Sequence, residues 1–167
     1  MIKIILNDDR EIKVELDYQA APLAAENFVK LVNEHFYDGV IFHRIIANFM
    51  IQTGGYYIDD MSLKEKPKVA AIKGEFAQNG VENKLKHQFG TISMARTNDM
   101  NSASSQFFIC AADCPHLDGA YAAFGKVKDP ESLKVVKELS EVETTSFYYF
   151  NDFPVEPIII KKVIVVD

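Results

Sequence analysis

Apolar and polar positions follow two different periods along this chain. Ile2 to Leu6 is apolar and β-branched, Asn7-Asp8-Asp9 is a cluster of turn formers, and Ile12-Lys13-Val14-Glu15-Leu16 alternates strictly. Period-2 alternation on both sides of a turn predicts a β-hairpin. The period then lengthens. Pro22 suits a first helical position, and Leu23, Phe28, Leu31 and Val32 share one helical face up to about Asn33. Asp38-Gly39 ends that unit. Val40 to Ile46 and Phe49 to Thr53 read as strands, and Gly54-Gly55 permits a sharp backbone turn. From Tyr56 to Lys86 the pattern fades, with Pro67, Gly74 and Gly80 interrupting it, and this predicts a long loop with one short strand near Val69 to Ile72.

Order returns at Phe89 to Ala95, Gln106 to Ala111 and Ala122 to Val127, with a turn-rich loop, Thr97 to Ser102, between the first two. A second helix is signalled by Asp129 as N-cap, Pro130 at the first position, Glu131 in the first turn, and Leu133, Val136 and Leu139 on one face. Pro157 to Val166 reads as a last strand whose alternation breaks at Lys161-Lys162, a sign of a bulge or an edge. About eight strands and two helices without strand–helix alternation argue against a doubly wound fold. The expected class is mainly β: a closed eight-stranded antiparallel β-barrel capped by two α-helices, in a single domain over residues 1–167.

Composition narrows the function. Apolar residues make up 48% and charged residues 25%, as in an ordinary globular protein that buries a core without disulfides. A net charge of -6 disfavours nucleic acid and anionic lipid as partners. No segment approaches the roughly 20 apolar residues of a membrane helix, and the opening apolar run is too short for a signal peptide, so the expected location is cytoplasmic. Cys110 and Cys114 would stand about 13 Å apart in an extended segment at ~3.3 Å per residue. A turn at Ala111-Ala112-Asp113 could close the gap, but one pair in a chain this long is not a disulfide framework, so two reduced thiols are expected.

Two runs carry the chemistry. Phe42-His43-Arg44-Ile45-Ile46-Ala47-Asn48-Phe49-Met50-Ile51-Gln52-Thr53 places one arginine, large apolar groups and an amide in strand-forming sequence, and Ser104-Ser105-Gln106-Phe107-Phe108-Ile109 has the same character. Together they predict an apolar pocket with a fixed cation at its rim, suited to a neutral, weakly polar ring such as proline. Alternation along the second run assigns Phe107 to the core and Phe108 to the pocket. His35, His43, His87 and His116 have no metal-ligand spacing, and no Gly-x-Ser-x-Gly elbow or phosphate-binding loop occurs, so no metal or cofactor is expected. His43 is expected to be a structural histidine with a satisfied ring.

The segments FHRIIANFMIQTGG, GTISMAR, SSQFFI and LDGAYAAFGKV, in this order and spacing, resemble the cyclophilin family of peptidyl-prolyl cis-trans isomerases, in its small single-domain bacterial form. The resemblance implies that Arg44 is the catalytic arginine. It implies a substrate-binding surface of Phe49, Met50, Gln52, Ala95, Arg96, Thr97, Gln106, Phe108, His116, Leu117 and Tyr121. It implies a monomer acting on proline-containing peptides and unfolded proteins. His116 and Tyr121 stand where many eukaryotic members carry tryptophan and histidine, so cyclosporin is expected to bind weakly. Arg96 replaces an asparagine whose backbone meets the substrate, a contact that any non-proline residue can supply. A pocket of this kind supports two readings: an isomerase that assists folding, or a proline-peptide-binding chaperone module in which turnover is incidental.

Overall fold

The computed structural model describes residues 1–166. It contains, in order, β1 (Ile2–Leu6), β2 (Glu11–Leu16), α1 (Pro22–Asn33), β3 (Val40–Ile46), β4 (Met50–Asp59), β5 (Ser62–Glu65), β6 (Thr91–Met94), β7 (Phe107–Cys110), β8 (Ala123–Lys126), α2 (Pro130–Ser140), β9 (Thr144–Phe147), β10 (Phe150–Pro154) and β11 (Ile160–Val165). Eight strands form the barrel in the order β11-β1-β2-β8-β6-β7-β4-β3, all in antiparallel pairs. The seam between its two end strands is stitched by Phe42 N–H donating to Ile158 O at 3.0 Å and Gly39 N–H to Ile160 O at 2.8 Å. The mainly β, two-helix expectation holds. Three further strands lie outside the barrel: β5 extends β4, and β9 pairs only with β10.

The interior is filled by aromatic rings. Phe28 from α1 meets Phe107 edge-on at 5.2 Å, Tyr37 at 5.4 Å and Phe124 at 5.4 Å, and all four are fully buried. Each such ring contributes roughly 1.5–3 kcal/mol on burial. Because side chains alternate along a strand, the same strands that fill the barrel also build its outer wall. On β4, Ile51 points inward while Met50 and Gln52 point out. On β7, Phe107 and Ile109 belong to the core, whereas Phe108 and Cys110 join a separate apolar cluster with Met50, Cys114 and Leu117.

Both helices start where the prolines predict. On α2 the Asp129 carboxylate accepts from Ser132 N–H at 2.9 Å, and Val136 and Leu139 are buried. On α1 the buried face is Ala24, Ala25, Phe28, Leu31 and Val32; Leu23 is exposed, contrary to expectation. Ala21 gives α1 no side-chain cap. Buried Glu75 replaces it, accepting from Leu23 N–H at 3.0 Å and Ala24 N–H at 2.8 Å. This carboxylate also pins the long connection to the start of α1.

That connection is shorter than the sequence pattern suggests. Gly54-Gly55 is not a turn: β4 runs through both residues to Asp59 and returns as β5 across Asp60-Met61. The glycines answer a close approach instead. A Cβ at Gly54, whose φ is +105°, would lie 2.5 Å from the Ser105 carbonyl, and one at Gly55 would lie 2.5 Å from the Gln106 amide nitrogen. Val69 to Ile72 forms no strand; Ile72 N–H instead donates to Ala103 O at 2.8 Å. Phe89 lies outside its predicted strand and is exposed. Pro157 to Ile159 precede β11 as the seam segment, and the register jumps at Lys161, confirming a bulge there. Cys110 and Cys114 are free and buried, and the Cys114 thiol donates to Phe49 O at 3.5 Å and Ala112 O at 3.4 Å. No helix among the described residues is long and apolar enough to cross a membrane.

Candidate active site

The outer wall of β4 and β7 carries a hollow of about 120 Å³ lined by Arg44, Phe49, Met50, Gln52, Ala95, Arg96, Phe108, Leu117 and Tyr121. Pockets for drug-sized ligands run to roughly 300–1,000 Å³, so this one takes a single small ring. Every lining residue is among those singled out from the sequence. Thr97 and Gln106 line an adjoining recess of about 190 Å³ that shares Gln52, Ala95 and Arg96. His116 stands exposed at the rim, its ring 5.5 Å from Phe49.

Each wall has a local cause. The β3–β4 turn places Asn48 at φ +62°, a conformation asparagine tolerates, and so delivers Phe49 and Met50 to the hollow. Phe49 is fixed by its own carbonyl, which accepts from Ala111 N–H at 2.8 Å. Leu117 arrives on a short 3₁₀ turn opened by Pro115. Phe108 meets Tyr121 edge-on at 5.9 Å across the hollow.

The two arginines at the hollow have different duties. The Arg96 guanidinium donates to Ala120 O through Nε at 3.1 Å and Nη2 at 2.6 Å, and to Thr97 O through Nη1 at 2.9 Å. It also lies between the rings of Phe76 and Tyr121, 4.9 and 4.6 Å from their centroids. Arg96 is therefore a clasp that ties the Leu117–Tyr121 wall to the strand end opposite. Arg44 is exposed and makes one side-chain hydrogen bond among the described residues, from Nη1 to Gln52 Oε1 at 3.2 Å. Gln52 in turn donates from Nε2 to Gln106 Oε1 at 3.0 Å. The amide relay aims Arg44 without consuming it, leaving donors for a ligand.

Behind Phe108 lies a set of residues that the motifs did not flag. Buried His87 stacks on the Phe108 ring at 6.1 Å, with Nδ1 3.0 Å from Asp118 Oδ1 and Nε2 2.9 Å from Ser93 Oγ. Burial pushes its imidazole pKa down, against the upward pull of Asp118. Ser93 is fully buried, so this trio supports the wall and offers no nucleophile. Spacing in the sequence gives no sign of it. His43 corrects an expectation. Its ring is buried against Tyr56 at 4.7 Å and Phe150 at 5.4 Å, and its Nδ1 has no partner among the described residues. Burial, then the neighbouring Arg44 charge, lowers its pKa to about 4. The strand carries a bulge between Phe42 and Arg44, which turns His43 to the outer wall, where two aromatic rings enclose it and supply no acceptor.

A family model described as cyclophilin type peptidyl-prolyl cis-trans isomerase/CLD matches residues 1–165. The chain is 42% identical over 156 residues to peptidyl-prolyl cis-trans isomerase A of Dickeya dadantii, covering 90% of this chain and 77% of that protein. It is 39% identical over 159 residues to peptidyl-prolyl cis-trans isomerase cyp18 of Streptomyces antibioticus, covering 90% of each. A crystal structure of a cyclophilin type isomerase from Cryptosporidium parvum, obtained in the presence of the dipeptide Ala-Pro, superposes with a TM-score of 0.78 at 28% identity, over 99% of this chain and 98% of that one.

Proposed function

This chain belongs to the cyclophilin-type peptidyl-prolyl cis-trans isomerase family, and from that premise we propose that Arg44 drives rotation of X–Pro bonds held in the hollow. The activity itself is peptidyl-prolyl isomerisation.

An X–Pro amide turns over a barrier near ~20 kcal/mol and takes roughly tens of seconds. Raising that rate to about 10³ per second asks for roughly 6 kcal/mol, at ~1.4 kcal/mol per tenfold. No covalent bond breaks, so the chain needs no nucleophile and no proton shuttle. As the amide twists, its nitrogen regains a lone pair. A guanidinium N–H aimed at that nitrogen binds the twisted form more strongly than the planar one, which is the condition for catalysis. Phe49, Met50, Phe108 and Leu117 grip the proline ring and exclude water, which otherwise favours the polar planar amide. Ala95, Arg96, Thr97 and Gln106 border the groove that receives the residues before proline. The Arg96 backbone N–H and C=O have no partner among the described residues, and both are available to an extended peptide.

The observation that carries the assignment is the contrast between the two arginines: Arg96 is spent on its clasp, while Arg44 is held by a single amide at the mouth of the hollow. The Ala-Pro dipeptide used with the Cryptosporidium protein supports proline-containing peptides as ligands here, and unfolded chains that expose proline are the proposed clients. With His116 at the rim, cyclosporin is expected to inhibit weakly. The test is NMR exchange on an Ala-Pro peptide. Arg44→Ala should slow exchange at least a hundredfold with the fold intact, and wild-type turnover should stay nearly flat from about pH 6 to 9, since an arginine does not titrate there. Tight binding by the wild type without faster exchange would favour the binding module and remove Arg44 from the mechanism.

A further inference from the structure

The β9–β10 hairpin breaks the rules of its own turn. Phe147 pairs with Phe150, so Tyr148-Tyr149 is a two-residue connection. Such connections favour glycine or asparagine, because at least one residue must take a positive φ. Here Tyr148 takes φ +53°, a conformation that disfavours a bulky side chain. Neither tyrosine is recovered by burial: Tyr148 is 72% and Tyr149 73% exposed. Nor are they loose. The Tyr148 ring stacks on Phe147 at 4.5 Å, and Tyr149 packs on Phe150 at 4.6 Å. A site that departs from turn chemistry without gaining core is a place to look for function.

The hairpin is moored beside Arg44. Phe150 packs on Tyr56 at 5.0 Å and on His43 at 5.4 Å. His43 is the residue before Arg44. Ring-to-ring steps of 5.4 and 4.6 Å lead from His43, Arg44's chain neighbour, through Phe150 to the exposed Tyr149. An extended peptide covers that span in about three or four residues at ~3.3 Å each.

We propose that Tyr148 and Tyr149 form a second contact surface for the polypeptide whose proline occupies the hollow, taking a large apolar or aromatic side chain three or four residues away. This rests on the isomerase reading above. Tyrosine suits such a surface, since it offers a rigid, amphipathic face at low entropic cost and stacks on many partners. A folded partner or a second copy fits poorly. Two tyrosines present at most roughly 300–500 Å², against about 800 Å² per side in a stable interface. A segment already tethered by its proline meets the tip at high effective concentration, so even a small contact adds affinity.

The test compares three peptides by NMR exchange: a short Ala-Pro tetrapeptide, a ten-residue Ala-Pro peptide with phenylalanine placed in turn at each position two to six residues from proline, and the same peptide with serine there. Wild type should show a five- to tenfold lower KM for phenylalanine three or four residues away. Tyr148→Gly with Tyr149→Ser should abolish that gain and leave turnover of the tetrapeptide unchanged. Tyr148→Gly alone relieves the positive φ and should not lower the melting temperature, which separates lost contact from lost fold. Equal KM for the phenylalanine and serine peptides in wild type, or a gain that survives the double substitution, would overturn the proposal. Failure of wild type to speed tetrapeptide exchange would instead sink the isomerase reading. Chemical-shift changes at Tyr148 and Tyr149 on adding the phenylalanine peptide would still decide the contact surface.

Discussion

One methyl group at position 55 should separate activity from stability. A Cβ built on Gly55 meets three atoms of a single side chain, Gln106 Nε2 at 2.5 Å, Cδ at 2.8 Å and Cγ at 3.0 Å. Its three nearest neighbours all belong to that flexible side chain, so Gly55→Ala is accommodated by swinging Gln106 aside. That motion breaks the Gln52–Gln106 hydrogen bond of 3.0 Å and frees Gln52 to turn away from Arg44. A neutral hydrogen bond contributes about 1 kcal/mol, and re-ordering the released guanidinium costs a similar amount. A loss of ~1–2 kcal/mol in the transition state is roughly a 5- to 30-fold fall in kcat/KM. Stability, read as the urea midpoint, should move by less than about 1 kcal/mol. Gln106→Ala should reproduce the same fall, and the double variant should add nothing further, because both substitutions cut one relay. Gly54→Ala is the contrast. Its φ is +105° and its new Cβ meets the Ser105 carbonyl at 2.5 Å and Gln106 Cα at 2.9 Å, so it should cost several kcal/mol of stability. Wild-type kcat/KM in both Gly55→Ala and Gln106→Ala would show that the amides do not set the arginine. Unfolding of Gly55→Ala to the extent of Gly54→Ala would show that the strand, not a side chain, occupies the space.

Acid should weaken the fold through His43. Its folded pKa of about 4 lies below the ordinary value of 6.5, so the unfolded chain binds the proton first. Stability is therefore full above pH ~6.5 and falls as pH drops toward 4, by roughly 3 kcal/mol in all. His43→Leu should remove most of the slope in melting temperature over that window, with His87, whose pKa burial also lowers, acting in the same direction; an unchanged slope would clear His43. Arg96→Ala removes three hydrogen bonds and two ring contacts, and should cost about 2 kcal/mol while raising KM severalfold with little change in kcat. A collapse in kcat alone, with KM unchanged, would mean that Arg96 acts on the reacting bond.

Where burial enforces a period, the chain is readable. The β1–β2 hairpin and both helices follow from alternation, prolines and the Asp129 cap, and the assignment of Phe107 inward and Phe108 outward follows from the same alternation. The Arg44, Phe49, Met50 and Gln52 cluster was legible because one hairpin brings it together. Misreadings fall where a residue type has more than one use. Glycine reports that space is short as readily as that the chain turns, and at Gly54-Gly55 the first applies. Asp60-Met61 and Tyr148-Tyr149 carry turns without glycine, so their hairpins left no mark in the sequence. Leu23 fits the helical period but sits at the first turn of α1, where Glu75 occupies the N-terminal end. The Ser93–His87–Asp118 support and the Arg96 clasp depend on long-range contacts that no local spacing encodes.

The interleaving of core and hollow on β4 and β7 sets how this molecule can diverge. Residue-for-residue exchange on the outward positions leaves the inward ones in place, so the ligand surface can drift while the filling stays fixed. Adding or deleting one residue within Phe107–Cys110 has the opposite effect: Phe107 would face solvent and Phe108 would enter the barrel, exchanging both surfaces at once. Lineages descended from this chain are thus expected to accumulate length changes in the connections, such as the stretch from 66 to 90, and to keep these two strands free of gaps.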